Sequence, residues 1–507
     1  MRSALLICLI LFSAQVFASD NNEPIIIPQE SSDDSDGGFD FTMGLSAGAA
    51  VLDGELYNQI GIRPLITIGK LGIALDLSLY LDSDGNVREE NWDDASDIWE
   101  KFYFIRWAKP GDPFYLKVGA IDDYRLGYGL LMNHYSNTIE YPNVIRTGME
   151  IGLESEGYGF QGMVNNFGEA FNGGGVFAGR FVGKFLLGIE VGLSVVADVN
   201  QYKALKDRDD DDVPDFADDF PNNRRFTADT DGDGIADEED WDRDNNWFRD
   251  NPNVVPDSLN EEPNFDESLL KRPFRTSDGK NKSQIAAAID IGLPIINQEY
   301  LQLILYSQYA KFFNNGGWGI TAPGVRAKFA FINAFAEYRI FGEKFIPEYF
   351  NTTYELERAV LVEDTTGNIL VKTKRSLLQE IDEKLQGYAI GADFNIADFL
   401  IFGAEYQDMA KNDIEFRTFR VNLDVNPLII PKVNKAGAYY MQNNTMGDLF
   451  KRSEGTILGY KFGYDIGGGA TLLMDFRQTY RDLNGDGKIK GSDEVIKSTL
   501  IQTVFMF

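Results

Sequence analysis

Carboxylates at alternate positions carry the most specific chemistry in this chain. One run, DRDDDDVPDFADDFP, sets Asp207, Asp209 and Asp211 two residues apart and follows them with Asp215 and Asp218. A second, DTDGDGIADEED, repeats the spacing with Asp229, Asp231, Asp233, Asp237 and Asp240, and has Gly234 where the chain must turn. A hard divalent cation takes about six to eight oxygens, and alternate carboxylates on a tight loop converge on one point, so the spacing points to Ca²⁺. Between Asp207 and Glu262 stand 21 acidic and 5 basic residues, a net −16 that is half of the chain's −32. Charge of that density calls for counter-ions. A shorter run from Asp482 through Asn484, Asp486 and Gly487 to Asp493 offers the same ligand types. A different chemistry is suggested by Asn133-His134-Tyr135-Ser136-Asn137. On an extended backbone His134 and Ser136 point the same way, as a base and the nucleophile it activates must.

Each of these runs resembles a known family. The two acidic runs are similar to thrombospondin type-3 calcium repeats, in which Asp at alternate positions precedes a turn and two more Asp. Pro221 matches the closing proline, Asp212 stands where the family has Gly, and Asp242 and Asp244 continue into a degenerate third copy. The Asp482 run resembles an EF-hand or dockerin loop, with ligand types at positions 1, 3, 5 and 12 and Gly at 6, although its flanks read as strands rather than helices. The His-x-Ser-Asn element resembles that of outer-membrane lipid hydrolases such as outer-membrane phospholipase A, which implies His134 as base and Ser136 as nucleophile. Thr138 replaces that family's following Gly. The nearest acid on the next strand, Glu150, reads as lumen-facing, whereas the family's site faces lipid.

Composition removes most other functions. With 79 acidic against 47 basic side chains, one His and one Cys in 507 residues, a nucleic-acid face, a thiol nucleophile, a disulfide framework and a His-rich metal centre are excluded. The start, MRSALLICLILFSAQVFASD, has Arg2, an apolar run from Ala4 to Phe12 containing Cys8, and Val16-Phe17-Ala18 before Ser19. It reads as a signal peptide over residues 1–18, followed by an acidic linker to residue 38. The remainder contains no run of ~20 apolar residues, the length a membrane helix needs.

The elements that must position these runs have period two. Ile73, Leu75, Leu77, Leu79 and Leu81 alternate with polar or small residues, as do Met149 to Leu153, Leu187 to Val195 and Leu458 to Tyr464. Segments of about ten residues, tight turns (69–72, 109–113, 467–469) and long acidic connections (83–101, 198–283, 349–384) predict an all-β transmembrane antiparallel barrel of about 18–20 strands over 39–507, with residues 200–283 as a long extracellular loop. Tyr103, Trp107, Phe114 and Tyr115 near segment ends suggest an interfacial girdle. The last strand places Thr499, Ile501, Thr503, Phe505 and Phe507 on one face. This resembles the C-terminal signature of bacterial outer-membrane β-barrels, which implies outer-membrane lipids and the barrel-insertion machinery as partners and a Gram-negative-type outer membrane as location.

Taking the apolar face as lipid-facing puts ten cations inward, among them Arg63, Lys117, Arg180, Arg326, Arg339, Arg420, Lys461 and Arg477. Ten anions join them, among them Asp76, Glu150, Asp290, Glu337, Asp393, Glu405, Asp465 and Asp475. Twenty charges imply a wet interior. The stretch from Leu126 to Asn137 falls in the third outward connection, which in porins often folds inward; Arg125, Tyr128, Asn133, His134, Tyr135 and Asn137 are then expected at the constriction. Leu377, Leu378, Ile381 and Leu385 have helical spacing and suggest a loop helix packed on the rim. These readings converge on a porin-like channel for passive diffusion of small solutes with Ca²⁺ as cofactor, no enzyme and no nucleic-acid partner; a homo-oligomer is compatible with them. The alternatives are a calcium-dependent surface or adhesion protein anchored by a barrel, and a lipid hydrolase using His134 and Ser136. A TonB-type transporter is disfavoured, since no plug of about a hundred residues precedes the first strand.

Overall fold

The computed structural model describes residues 38–243 and 282–506, apart from short gaps within them of which 482–488 is the longest, together with Arg275–Thr276. The leader, Asp231, Asp244, Asp482, Asn484, Asp486, Asp493 and Phe507 lie outside the described residues. Twenty antiparallel strands form one closed sheet, with Leu71–Leu75 and Leu77–Leu81 as two halves of one strand. The first strand, Phe39–Leu52, pairs with the last, Val495–Met506, from Gly44 opposite Met506 to Val51 opposite Thr499. Pairing of the first strand with the last closes the sheet, the condition for backbone to sit in hydrocarbon.

The alternation has an inverted sense. In Glu55–Ile68, exposed Leu56, Ile60 and Ile62 alternate with buried Gln59 and Arg63. In Leu301–Phe312, exposed Leu305 and Tyr309 alternate with buried Tyr306 and Gln308. A water-soluble sheet buries its apolar face, whereas this one shows that face to its surroundings and hides the polar one. Lipid is the medium in which that arrangement is stable. Connections are also sided. At one end the chain turns in 69–70, 155–157, 330–331 and 468–469. The other end carries 82–101, 120–147, 199–283 and 342–384. In outer-membrane barrels the long-loop end is extracellular. The turn at 468–469 demands glycine: Gly467, Gly468 and Gly469 have φ of 91°, 68° and 80°, a region closed to most side chains.

Local departures from the simple alternation have causes. The strand expected from Leu187 begins at Glu190, because Leu187 sits at φ 65° in a tight turn. The strand through Ile73 and Leu81 breaks at Asp76, whose amide bonds the Lys101 carbonyl and whose carboxylate takes Arg63. Of the expected girdle, Trp107 and Phe114 are exposed, but Tyr103 and Tyr115 point inward: Tyr115 because it follows Phe114 on a strand, and Tyr103 because the strand bulges between Phe102 and Phe104 and reverses the parity set by Trp107.

The apolar core lies inside the barrel and is made by loops. Leu130, Leu131, Met132 and Tyr135 of loop 120–147 pack with Phe345, Ile346, Tyr349, Phe350 and Tyr354 of loop 342–384, against Phe312 and Phe341 of the wall. A bridge between Met132 and Phe350 joins the two loops. The helical spacing after Arg375 yields one short helix, Lys374–Leu378, and Leu378, Ile381 and Leu385 enter the same core rather than a rim. A three-stranded sheet (Arg275–Thr276, Ala359–Glu363 and Ile369–Thr373) adjoins the root of the acidic loop, where Tyr202 packs on Ala359 and Val371.

Candidate functional site: the lumen and the acidic loop

Most of the charges assigned inward from strand parity do face the lumen, and many are paired. Arg63 Nε lies 3.0 Å from Asp76 Oδ1, and Arg180 Nη2 lies 2.7 Å from Asp290 Oδ1. Arg339 reaches Glu337 at 2.5 Å and Glu348 at 3.2 Å. Arg420 reaches Glu348 at 2.6 Å and Glu405 at 2.9 Å. Buried charges persist only when paired, so these residues act as a braced wall rather than as freely hydrated charge. Asp465 instead lies exposed near its turn.

Loop 120–147 brings the expected constriction residues together, with different roles. Arg125 Nε donates to Asn133 Oδ1 at 2.5 Å, and its Nη2 is 2.8 Å from His134 Nε2. His134 Nδ1 is 3.0 Å from Asp123 Oδ2, and Nε2 is 3.3 Å from Glu405 Oε1 on the opposing wall. Burial opposes a charged ring, but Asp123 and Glu405 outweigh burial and Arg125, raising the His134 pKa to about 9. The Tyr128 ring stacks on Tyr306 at 4.0 Å, with the Arg326 guanidinium over both rings at 5.2 and 5.6 Å. Arg125, Tyr128 and His134 are half-buried, while Tyr135 and Asn137 are fully buried and hold the loop's shape. Tyr135 donates to Glu355, and Asn137 takes the Ile121 amide at 2.7 Å.

The His134–Ser136 pair suggested by an extended backbone does not form. His134 has φ 52°, which breaks the alternation, and its ring nitrogens face Asp123, Arg125 and Glu405. Ser136 is buried, with Oγ 2.9 Å from Thr138 Oγ1. Asp123, Glu348, Arg358 and Glu405, which organise this site, carried no motif. Glu405 stands 271 positions from His134, and only the closed barrel makes them neighbours.

In the acidic loop, the carboxylates of Asp207, Asp209 and Asp211 each present an oxygen within 4.8 Å of the others. Among the described residues, both oxygens of Asp209 and Oδ2 of Asp218 are buried without a hydrogen-bond partner. Burial, with Asp211, Asp209 and Asp215 nearby, pushes the Asp218 carboxyl above its usual range. Buried carboxylate oxygens lacking donors are what a hard cation satisfies, so these residues fit Ca²⁺. The second run is wound by its own amides: Asp229 accepts from Gly232 at 2.7 Å and Gly234 at 2.9 Å, and Asp237 accepts from the Thr230 amide and hydroxyl, both at 2.8 Å.

A closed strand barrel, apolar outside and charged inside, with short turns at one end and long loops at the other, is an outer-membrane β-barrel of the porin-like kind. No family model and no curated protein matches the chain. Among solved structures it is similar to OprD of Pseudomonas aeruginosa at 9% identity and TM-score 0.31, over 94% of this chain and 98% of that one. It is similar to OccK3 of the same organism at 8% identity and TM-score 0.36, over 92% and 95%. It is also similar to Wzi, a carbohydrate-binding outer-membrane barrel of Escherichia coli involved in group 1 capsule assembly, at 10% identity and TM-score 0.32, over 93% and 85%. At such scores the assignment of the barrel rests on its own geometry.

Proposed function

We propose that the protein is a porin-like channel for passive diffusion of small solutes, with a Ca²⁺-ordered acidic loop at its extracellular mouth. The observation that carries the channel reading is the eyelet: Arg125 and His134 of an inward loop face Glu405 of the wall, across a lumen lined by paired charge. Asp207, Asp209, Asp211 and Asp218 would hold one cation and the Asp229–Asp240 run a second; bound there, the cation supplies charge neutralisation and cross-linking of the loop.

The test is conductance of the purified, folded protein in a planar bilayer. The balanced wall discriminates little between ions, whereas the −16 segment at the mouth raises local cation concentration within a Debye length of ~8–10 Å at physiological salt. Moderate cation preference at low salt is therefore expected, and deleting residues 207–262 should erase most of it while leaving conductance similar. A folded protein without conductance would overturn the channel reading and leave the barrel as an anchor for the acidic loop.

A further inference from the structure

We propose that cation filling of the Asp207–Asp211 cluster sets how firmly inward loop 342–384 is seated, and through it the opening of the eyelet; this rests on the calcium reading above. One short segment, 198–211, carries both the cluster and the anchor of that loop. Lys203 Nζ lies 2.9 Å from Asp207 Oδ2. Two residues earlier, Gln201 Nε2 donates to the hydroxyls of Tyr349 at 3.0 Å and Tyr354 at 3.1 Å, both on the inward loop. Asn200 offers its carbonyl to Arg358 Nη2 at 3.1 Å, and Asp198 takes Arg358 Nε and Nη2 at 2.6 and 2.9 Å.

The far side of the inward loop holds the eyelet. The Phe350 carbonyl accepts from the Asn133 amide at 3.1 Å, and Thr352 Oγ1 donates to the His134 carbonyl at 2.6 Å. Glu348 of the same loop binds Arg420, which binds Glu405, the wall partner of His134. No gap separates the acidic cluster from the constriction: every step is a hydrogen bond, an ion pair or a chain bond.

The cluster supplies the force. Three carboxylates within 4.8 Å repel one another, and among the described residues Asp209 and Asp218 hold buried oxygens without donors. Without a cation the segment relieves this by spreading, which pulls on Gln201, Asn200 and Asp198. With the charge neutralised those three residues sit where Tyr349, Tyr354 and Arg358 require them. Cation binding and the seated loop therefore favour each other, and by linkage a seated loop raises cation affinity.

The experiment uses the full chain in planar bilayers at ~1 M KCl, where a Debye length of ~3 Å removes mouth-charge effects on selectivity. Chelation of Ca²⁺ is expected to raise the open probability of the wild type about tenfold, within the range usual for coupled sites, and added Ca²⁺ to reverse it. Amide exchange of residues 345–358 should accelerate in parallel. Gln201→Leu should still bind Ca²⁺ by calorimetry but lose most of the response, and Asp209→Asn, which removes one of the three repelling charges, should stay closed with or without Ca²⁺. Calcium heat with unchanged exchange and open probability in the wild type would overturn the coupling and leave the calcium reading standing. Absence of calcium heat in the wild type would remove both.

Discussion

Replacing Arg358 with Ala removes the main electrostatic anchor between the inward loop and the wall. Its guanidinium is fully buried and serves Asp198 at 2.6 Å, Glu169 at 2.5 Å and Glu355 at 3.5 Å. Arg146 partly compensates for two of these, lying 3.9 Å from Glu169 and 3.7 Å from Glu355. Among the described residues, Asp198 keeps the Tyr354 hydroxyl, at 2.6 Å, and the Asn200 amide, at 3.1 Å. Breaking a buried ion pair from one side costs ~3–5 kcal/mol, because the remaining charge stays desolvated. The loop is also seated by Phe345, Ile346, Tyr349, Phe350 and Tyr354, all buried, so the variant should fold with the loop docked but opening far more often. At ~1.4 kcal/mol per tenfold, the opening equilibrium rises roughly a hundred- to several-thousand-fold. Native-state amide exchange reads this directly at Glu348 and Phe350, whose N–H groups bond to the carbonyls of Leu130 and Leu131. Adding Asp198→Asn should recover a large part of the loss, since the stranded charge is then gone. Exchange at these two amides within about threefold of wild type, less than ~0.7 kcal/mol, would refute the claim that this ion cluster seats the loop.

Three further outcomes follow from the same geometry. A Cβ at Gly48 would overlap the Ile501 carbonyl across the closing seam, so Gly48→Val should lower the fraction of heat-modifiable, folded barrel on a gel, whereas Ala47→Val on the exposed face should not. Asp229→Ala removes the acceptor for the Gly232 and Gly234 amides, and calorimetry should lose one calcium-binding step while retaining that of the Asp207 run. The His134 pKa is raised to about 9, so its ion pairs with Asp123 and Glu405 are complete below the free value near 6.5 and are lost as pH rises through about 9; conductance should be flat from pH 6 to 8, step near 9, and lose that step in His134→Gln. A step centred near 6.5 would contradict the clamped ring.

The barrel was legible because its signal is local and repeated. Leu193 and Val195, both exposed, declare a lipid face by spacing alone, and Gly467 to Gly469 declare a tight turn because few other residues accept that backbone. The interior was legible only by parity. Knowing that Arg63, Arg180 and Arg420 face inward says nothing of whether water or Asp76, Asp290 and Glu348 meets them. The His134–Ser136 expectation failed for a related reason: it assumed an extended backbone, and tertiary contacts with Asp123 and Glu405 hold His134 in the left-handed region instead.

By itself the sequence determined the closed all-β class, the sidedness of its loops and the two acidic runs, because each depends on residues within a dozen positions of one another. Tertiary structure alone decided what fills the barrel. Loops 120–147 and 342–384 turn inward because Leu130, Met132, Tyr135, Phe350 and Tyr354 have no other apolar surface to join, the outer face being committed to lipid. Burial of those side chains then carries Arg358, Glu348 and Glu355 into low dielectric, where each must find an opposite charge. Their partners Asp198, Arg420 and Arg146 come from other parts of the chain, and closure of the sheet is what brings them into reach.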